Sequence, residues 1–202
     1  MGEPFSSVSI ATSVAAHPRR SPFSFGLTRM AYTLQALIAD EAVISVAIPS
    51  SSVLVRLPQR KAMIPLSDGM REVHDIPFLP LTDEGAAEVP DGIIAIAEAI
   101  AKAGRVAYVE AEFFGGDGTQ ACVTWDETLK ASRPIVDASA INTALRFLSV
   151  TVGDHHDEFD ALGLGRHRAT EDWEGMAEPS AAPNGGPATR LGNSSITEGP
   201  PS

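Results

Sequence analysis

The chain of 202 residues has one cysteine, Cys122, which rules out an intrachain disulfide and a cysteine-only metal site and suits a reducing cytoplasm. Basic residues are scarce: 15 Lys and Arg stand against 26 Asp and Glu, a formal net charge of −11. That balance works against binding nucleic acid or an anionic membrane and suits a basic protein partner. No apolar run reaches the roughly 18 residues that a membrane-spanning helix needs. Motifs with a known mechanism are missing as well: the chain holds no HExxH, EF-hand loop, GxGxxG, GxxxxGK[ST] or GxSxG pattern. What is present, 44% hydrophobic and 20% charged residues, suffices for one core.

Composition divides the chain in three. Residues 1–29 carry one acid, Glu3, three arginines, Arg19, Arg20 and Arg29, many serines, and Pro18 and Pro22. They read as a disordered extension or a mis-called start, with Met30 as the true one; composition also admits an organelle transit peptide. Residues 30–173 read as a single globular domain. Residues 174–202 are Pro, Gly, Ser, Ala and Asn with almost no large apolar side chain, which cannot offset the entropy of ordering, so a disordered tail is expected. The few charges of the two flanks nearly cancel, so the acidity belongs to the middle.

Within the middle, AYVEAEFFGGDGTQACVTW (107–125) gives the clearest signal, a β-hairpin around a Gly-Asp-Gly turn. If its apolar residues share one face, the loop is Gly116-Asp117-Gly118 with Gly118 left-handed. Phe113 then opposes Ala121, Ala111 opposes Val123 and Val109 opposes Trp125. Glu112 faces Cys122 and Glu110 faces Thr124 on the polar side. Leu34, Leu37 and Ile38 predict a short helix over 31–39. Runs at 43–48, 53–57 and 62–66 predict strands, with Pro65 at an edge or an end. Pro77, Pro80 and Pro90 mark a connection. Helices follow at 92–103, capped by Asp91 and stopped by Gly104, and at 138–148. Residues 154–173 are expected to be ordered by Phe159, Leu162, Leu164 and Trp173. The sum is an α+β domain, a mainly antiparallel sheet with two or three helices packed on one face.

Glu110 and Glu112, about 7 Å apart along one strand, are a carboxylate pair able to divide acid and base roles or to form a salt-bridged wall. Arg166 and Arg168 in LGLGRHR (162–168) are the expected partners of that wall. The run from Asp154 to Asp160 has imidazoles and carboxylates without a metal-ligand spacing, so no metal is expected. Cys122 reads as a filler residue, its thiol pKa raised by a neighbouring acid. Ser50, Ser51 and Ser52 are turn residues. The binding candidates are Glu110, Glu112, Gln120, Arg166, His167 and Arg168; no catalytic residue and no cofactor is assigned.

Three stretches, YVEAEFFGGDGTQACVTW (108–125), INTALRFL (141–148) and DEFDALGLGRHRATEDW (157–173), resemble a group of small, functionally uncharacterised bacterial proteins, chiefly actinobacterial. These share YxEAExFGGxGxQ, INxAL and DEFDxLGLGRHR in that order. In organisation they are similar to immunity proteins that neutralise secreted toxins. The chain departs from them at Ser149-Val150-Thr151, where a Gly-Val turn belongs. The resemblance and the charge together imply a non-enzymatic cytoplasmic interaction protein, of the immunity kind, docking on a basic toxin. The alternative is a small hydrolase-like or ligand-binding enzyme using the Glu110/Glu112 face with His167 or Arg166.

Overall fold

Residues 33–39, TLQALIA, are apolar but for one glutamine and an opening threonine, a pattern that fits a helix stripe or a strand buried on both sides. The structure, a computed structural model that describes residues 31–50, 52–115 and 117–176, takes the second solution. Tyr32–Asp40 is strand β1, and the helix expected at 31–39 is absent. Leu34, Ala36 and Ile38 enter one core while Leu37 and Ala39 enter another. A strand covered on two sides needs no polar alternation, so spacing alone misleads there.

β1 lies inside a six-stranded, wholly antiparallel sheet. Its order is β2 (Val55–Leu57), β3 (Lys61–Pro65), β1, β4 (Val106–Phe114), β5 (Asp117–Trp125) and β6 (Ile135–Val136). Both edge strands are short, which limits unwanted pairing. The strand expected at 43–48 is instead helix α1 (Glu41–Ile44) and a turn. Ile44 packs into the core beside β1 and β3, while Val46 and Ile48 beyond the helix are exposed. Pro65 closes β3, the place its missing N–H allows. Helix α2 (Asp68–His74) was not legible in the pattern.

The hairpin exists, but its register differs from the expected one. Phe114 pairs with Asp117, Phe113 with Gly118, Ala111 with Gln120, Val109 with Cys122 and Val106 with Trp125. Only residues 115 and 116 separate the strands, with Gly115 at φ 68°. Opposed positions therefore differ in parity. Ala107, Val109 and Ala111 join Cys122 on one face, while Val106 and Tyr108 join Ala121, Val123 and Trp125 on the other. Because both faces are buried, nothing forced the apolar residues of the two strands onto one side. Gly118 is a strand residue and not a left-handed one: a Cβ there would lie 2.3 Å from the Glu112 carbonyl and 2.3 Å from the Phe113 ring.

Helices consequently cover both faces and not one. Helix α3 (Asp91–Ala101) packs Ile93, Ile96, Ala97 and Ile100 on the Tyr108 and Trp125 side, together with α1, α2 and the loop between α2 and α3. Pro90, not Asp91, occupies the cap position; Asp91 sits in the first turn, where a carboxylate still favours the helix dipole, and the helix ends before Gly104. Helix α4 (Ala140–Phe147) packs Ala140, Ile141, Ala144 and Leu145 on the opposite face. The C-terminal segment covers the same face through α5 (Glu158–Ala161), Leu162, Leu164 and Trp173, as the anchors implied. Beyond the end of β3 this segment also serves as β1's neighbour: Thr33 N donates to Arg168 O at 2.8 Å and Gln35 N to Thr170 Oγ1 at 3.0 Å. Among the described residues no helix is long and apolar enough to cross a membrane. The extension at 1–29 and the tail beyond 176 lie outside the described residues.

The turn after α4 is a Schellman closure, with Ser149 N donating to Arg146 O at 2.9 Å and Val150 N to Leu145 O at 3.0 Å. Ser149 carries the left-handed conformation, φ 61°, that glycine adopts without a Cβ penalty. Replacing Ser149 with Gly should therefore stabilise the fold by up to about 1 kcal/mol, read from the midpoint of urea unfolding at unchanged slope. A destabilised variant would contradict this account of the turn.

Candidate functional site

The face that carries α4 has a cavity of about 390 Å³. Its apolar wall begins with Tyr32 and Phe113, cross-strand partners on β1 and β4, whose rings meet edge-on at 6.2 Å. Phe159 of α5 completes the wall, edge-on to Tyr32 at 5.9 Å. The Tyr32 hydroxyl donates to Leu164 O at 3.2 Å, and burial holds this phenol above its usual range against the opposing charge of Arg168. The missing side chain at Gly118 leaves the Phe113 ring its place.

Polar groups on the same cavity come from the three stretches quoted above. Gln120 of β5 accepts the orphan N–H of Ile141, at the start of α4, on Oε1 at 3.1 Å. Its Nε2 makes no hydrogen bond among the described residues. Asn142 donates to Asp157 Oδ2 at 3.1 Å and accepts Phe159 N at 2.9 Å. Asp157 in turn caps α5, accepting Asp160 N on Oδ1 at 2.8 Å. Burial works against the charged form of Asp157, but the bonds from Asp160 N and Asn142, with His156 nearby, outweigh it and hold the carboxyl below its usual range. Arg168 stands at the cavity with its backbone pinned on both sides, N to Asp172 Oδ2 at 3.3 Å and O from Thr33. Its guanidinium is exposed and has no carboxylate partner among the described residues.

Glu110 lies on the opposite face. It keeps the side of β4 expected for it, away from Ala107, Val109 and Ala111, but that side is covered as well: it is fully buried beneath the loop that follows α2. Its Oε1 accepts Thr82 N at 2.5 Å and its Oε2 accepts the Tyr108 hydroxyl. That hydroxyl accepts Gln35 Nε2 at 3.0 Å, and Gln35 also donates to Pro77 O and accepts Leu79 N. Together these bonds hold the loop on the sheet. Burial pushes the Glu110 carboxyl up, partly countered by the bond from Tyr108. The expected exposed pair with Glu112 therefore does not exist, and the arginines of LGLGRHR sit across the sheet and cannot close a wall with it. Glu112 is half-buried, paired in register with Thr33 and Thr119. Arg166 folds its guanidinium against Gly163, and His167 packs edge-on to Trp173 at 4.5 Å. Of the six candidates, only Gln120 and Arg168 share a site.

Cys122 is not on a polar face beside Glu112 but buried, opposed by Val109 and Ile135, with its thiol pushed up to about 11, first by burial and then by Asp137. The histidines beside Asp154 make only local contacts, His155 Nδ1 to Asp160 at 3.3 Å and His156 Nδ1 to Asp157 at 3.7 Å. Among the described residues no group of three or more His, Cys, Asp or Glu is placed to hold a metal ion. No protein family, curated protein or solved structure matches the chain. Sequence reading missed Tyr32, Asn142, Asp157 and Phe159 as lining residues. Three of these lie within the quoted stretches, whose convergence was the available signal.

The other layer carries an acidic stretch. Between Arg71 and Lys102 there is no Lys or Arg, while Glu72, Asp75, Asp83, Glu84, Glu88 and Asp91 are exposed and Glu98 half-exposed. None of them forms an ion pair among the described residues.

Glu110 holds its proton more tightly folded than unfolded. The stability it contributes is fully present below the ordinary carboxylate pKa and is lost as pH rises through the raised value. Wild type should therefore lose stability relative to Glu110→Gln between acidic and neutral pH, followed by urea unfolding across that range. A difference that is flat, or that grows with pH, would remove the buried carboxylate from the account.

Proposed function

We propose that this is a non-enzymatic interaction protein that captures a basic protein on its acidic layer, acting in the cytoplasm. The observation that carries the reading is the segment from Glu72 to Glu98, which has no Lys or Arg of its own and whose carboxylates form no ion pair among the described residues; Arg71 at its margin lies over Phe78 and pairs with Asp68. Such a predominantly acidic face raises the encounter rate with a cationic surface and repels nucleic acid and anionic lipid. The layer's scaffold suits docking: Ile93, Ile96 and Ile100 root α3 in the core, and the Gln35, Tyr108 and Glu110 network fixes the loop beside it. A secreted toxin with a basic surface is the partner class that the sequence resemblance supplies.

The test is affinity capture by the full chain at low and high salt, with Glu84→Lys/Glu88→Lys as the control. The wild type should retain a basic protein, encoded beside its own gene, that is released between about 0.05 and about 0.5 M salt. The double reversal should weaken binding by at least about tenfold, mostly through slower association. Equal capture by the reversed chain, or no salt-sensitive basic protein at all, rejects the reading.

A further inference from the structure

The cavity on the opposite face raises a separate question, because it holds two charges of opposite sign that do not pair. Arg168 presents a guanidinium with no carboxylate partner among the described residues. Asp157 presents a carboxylate whose side chain is 33% exposed. It accepts Asp160 N and Asn142 Nδ2, has the exposed His156 Nδ1 at 3.7 Å from Oδ2, and keeps lone pairs to spare, since a carboxylate offers about four acceptor positions. Both line the same open cavity, yet they form no ion pair with each other. Each is held in place by something else: Arg168 through its backbone bonds to Thr33 and Asp172, Asp157 through its cap on α5.

The same cavity is lined by three aromatic rings and by Gln120, whose Nε2 makes no hydrogen bond among the described residues. The volume, about 390 Å³, lies at the small end of ligand pockets, which run from about 300 to about 1,000 Å³. A purely anionic ligand would meet Asp157, and a purely cationic one would meet Arg168. A molecule carrying both signs satisfies both, with charge-assisted hydrogen bonds at each end.

We propose that this cavity binds a small zwitterion with an apolar side chain, of the α-amino-acid kind. Arg168 and Gln120 take the carboxylate, Asp157 takes the ammonium, and the wall of Tyr32, Phe113 and Phe159 covers the side chain. This is independent of the capture of a basic protein, which uses the other face of the sheet.

Calorimetric titration of the full chain with L-phenylalanine and L-leucine tests it, beside phenylethylamine, which lacks the carboxylate, and phenylpropionate, which lacks the ammonium. At least one of the amino acids should bind with saturation near or below about 1 mM, and each half-ligand at least about tenfold more weakly. Arg168→Gln, whose side chain is exposed and unpaired, should keep the melting temperature and lose at least about tenfold in affinity for the amino acid while leaving phenylethylamine unchanged. Asp157→Asn should show the reverse selectivity, although it also weakens the α5 cap, so the arginine variant decides the matter. Phenylpropionate or phenylethylamine binding as tightly as the amino acid overturns the proposal. So does an unchanged affinity in Arg168→Gln, or an absence of binding by both amino acids up to about 10 mM.

Discussion

Burial of the sheet on both faces is the constraint from which the other features follow. In β1 and β4 each successive side chain is assigned to one core or the other, so no residue is spared for solvent over most of their length. A shift of register by one position would send Tyr108 toward α4 and Ala107 toward α3, exchanging a large ring for a methyl in two packed layers at once. The cost of that exchange, and not the hydrophobic alternation of either strand alone, fixes the pairing of Phe113 with Gly118. The same assignment decides what each face presents: a buried carboxylate under a loop on one; on the other, an aromatic wall beside an arginine and an aspartate that do not pair with each other.

The parts of the fold readable in the residues were those in which a local rule acts alone. The α4 stripe has helical spacing and one buried side; Pro65 ends β3 because it lacks a donor; Phe159, Leu162, Leu164 and Trp173 dock because they are the large apolar side chains of an otherwise charged segment. The parts that misled were those in which burial on a second side erased the pattern. Leu34, Leu37 and Ile38 fit a helix stripe only because both faces of β1 accept apolar side chains. The hairpin was visible, yet its loop was taken one residue too long, for the same reason. Taking the second face for solvent, in turn, put Glu110 at the surface and paired it with arginines that lie across the sheet.

The site was half legible. Gln120 and Arg168 were named from their stretches, but what joins them is Tyr32, distant in sequence and brought close by the pairing of β1 with β4. No single segment encodes that meeting. It depends on the C-terminal residues returning to the first strand, a long-range contact of the kind that local propensity leaves open.

That return has one further consequence. Where β3 ends, the amides of Thr33 and Gln35 would face solvent or an apolar layer, and the acceptors that satisfy them are Arg168 O and Thr170 Oγ1. The segment that frames the cavity therefore also stands in for β3 as β1's neighbour beyond the end of that strand. Detaching it would open the cavity and strip two donors from the central strand in the same event. Occupancy of the cavity and integrity of the sheet's middle are thereby coupled: a molecule bridging Arg168 and Asp157 would tighten the backbone row on which the fold is centred, and fraying of the C-terminal segment would loosen both together.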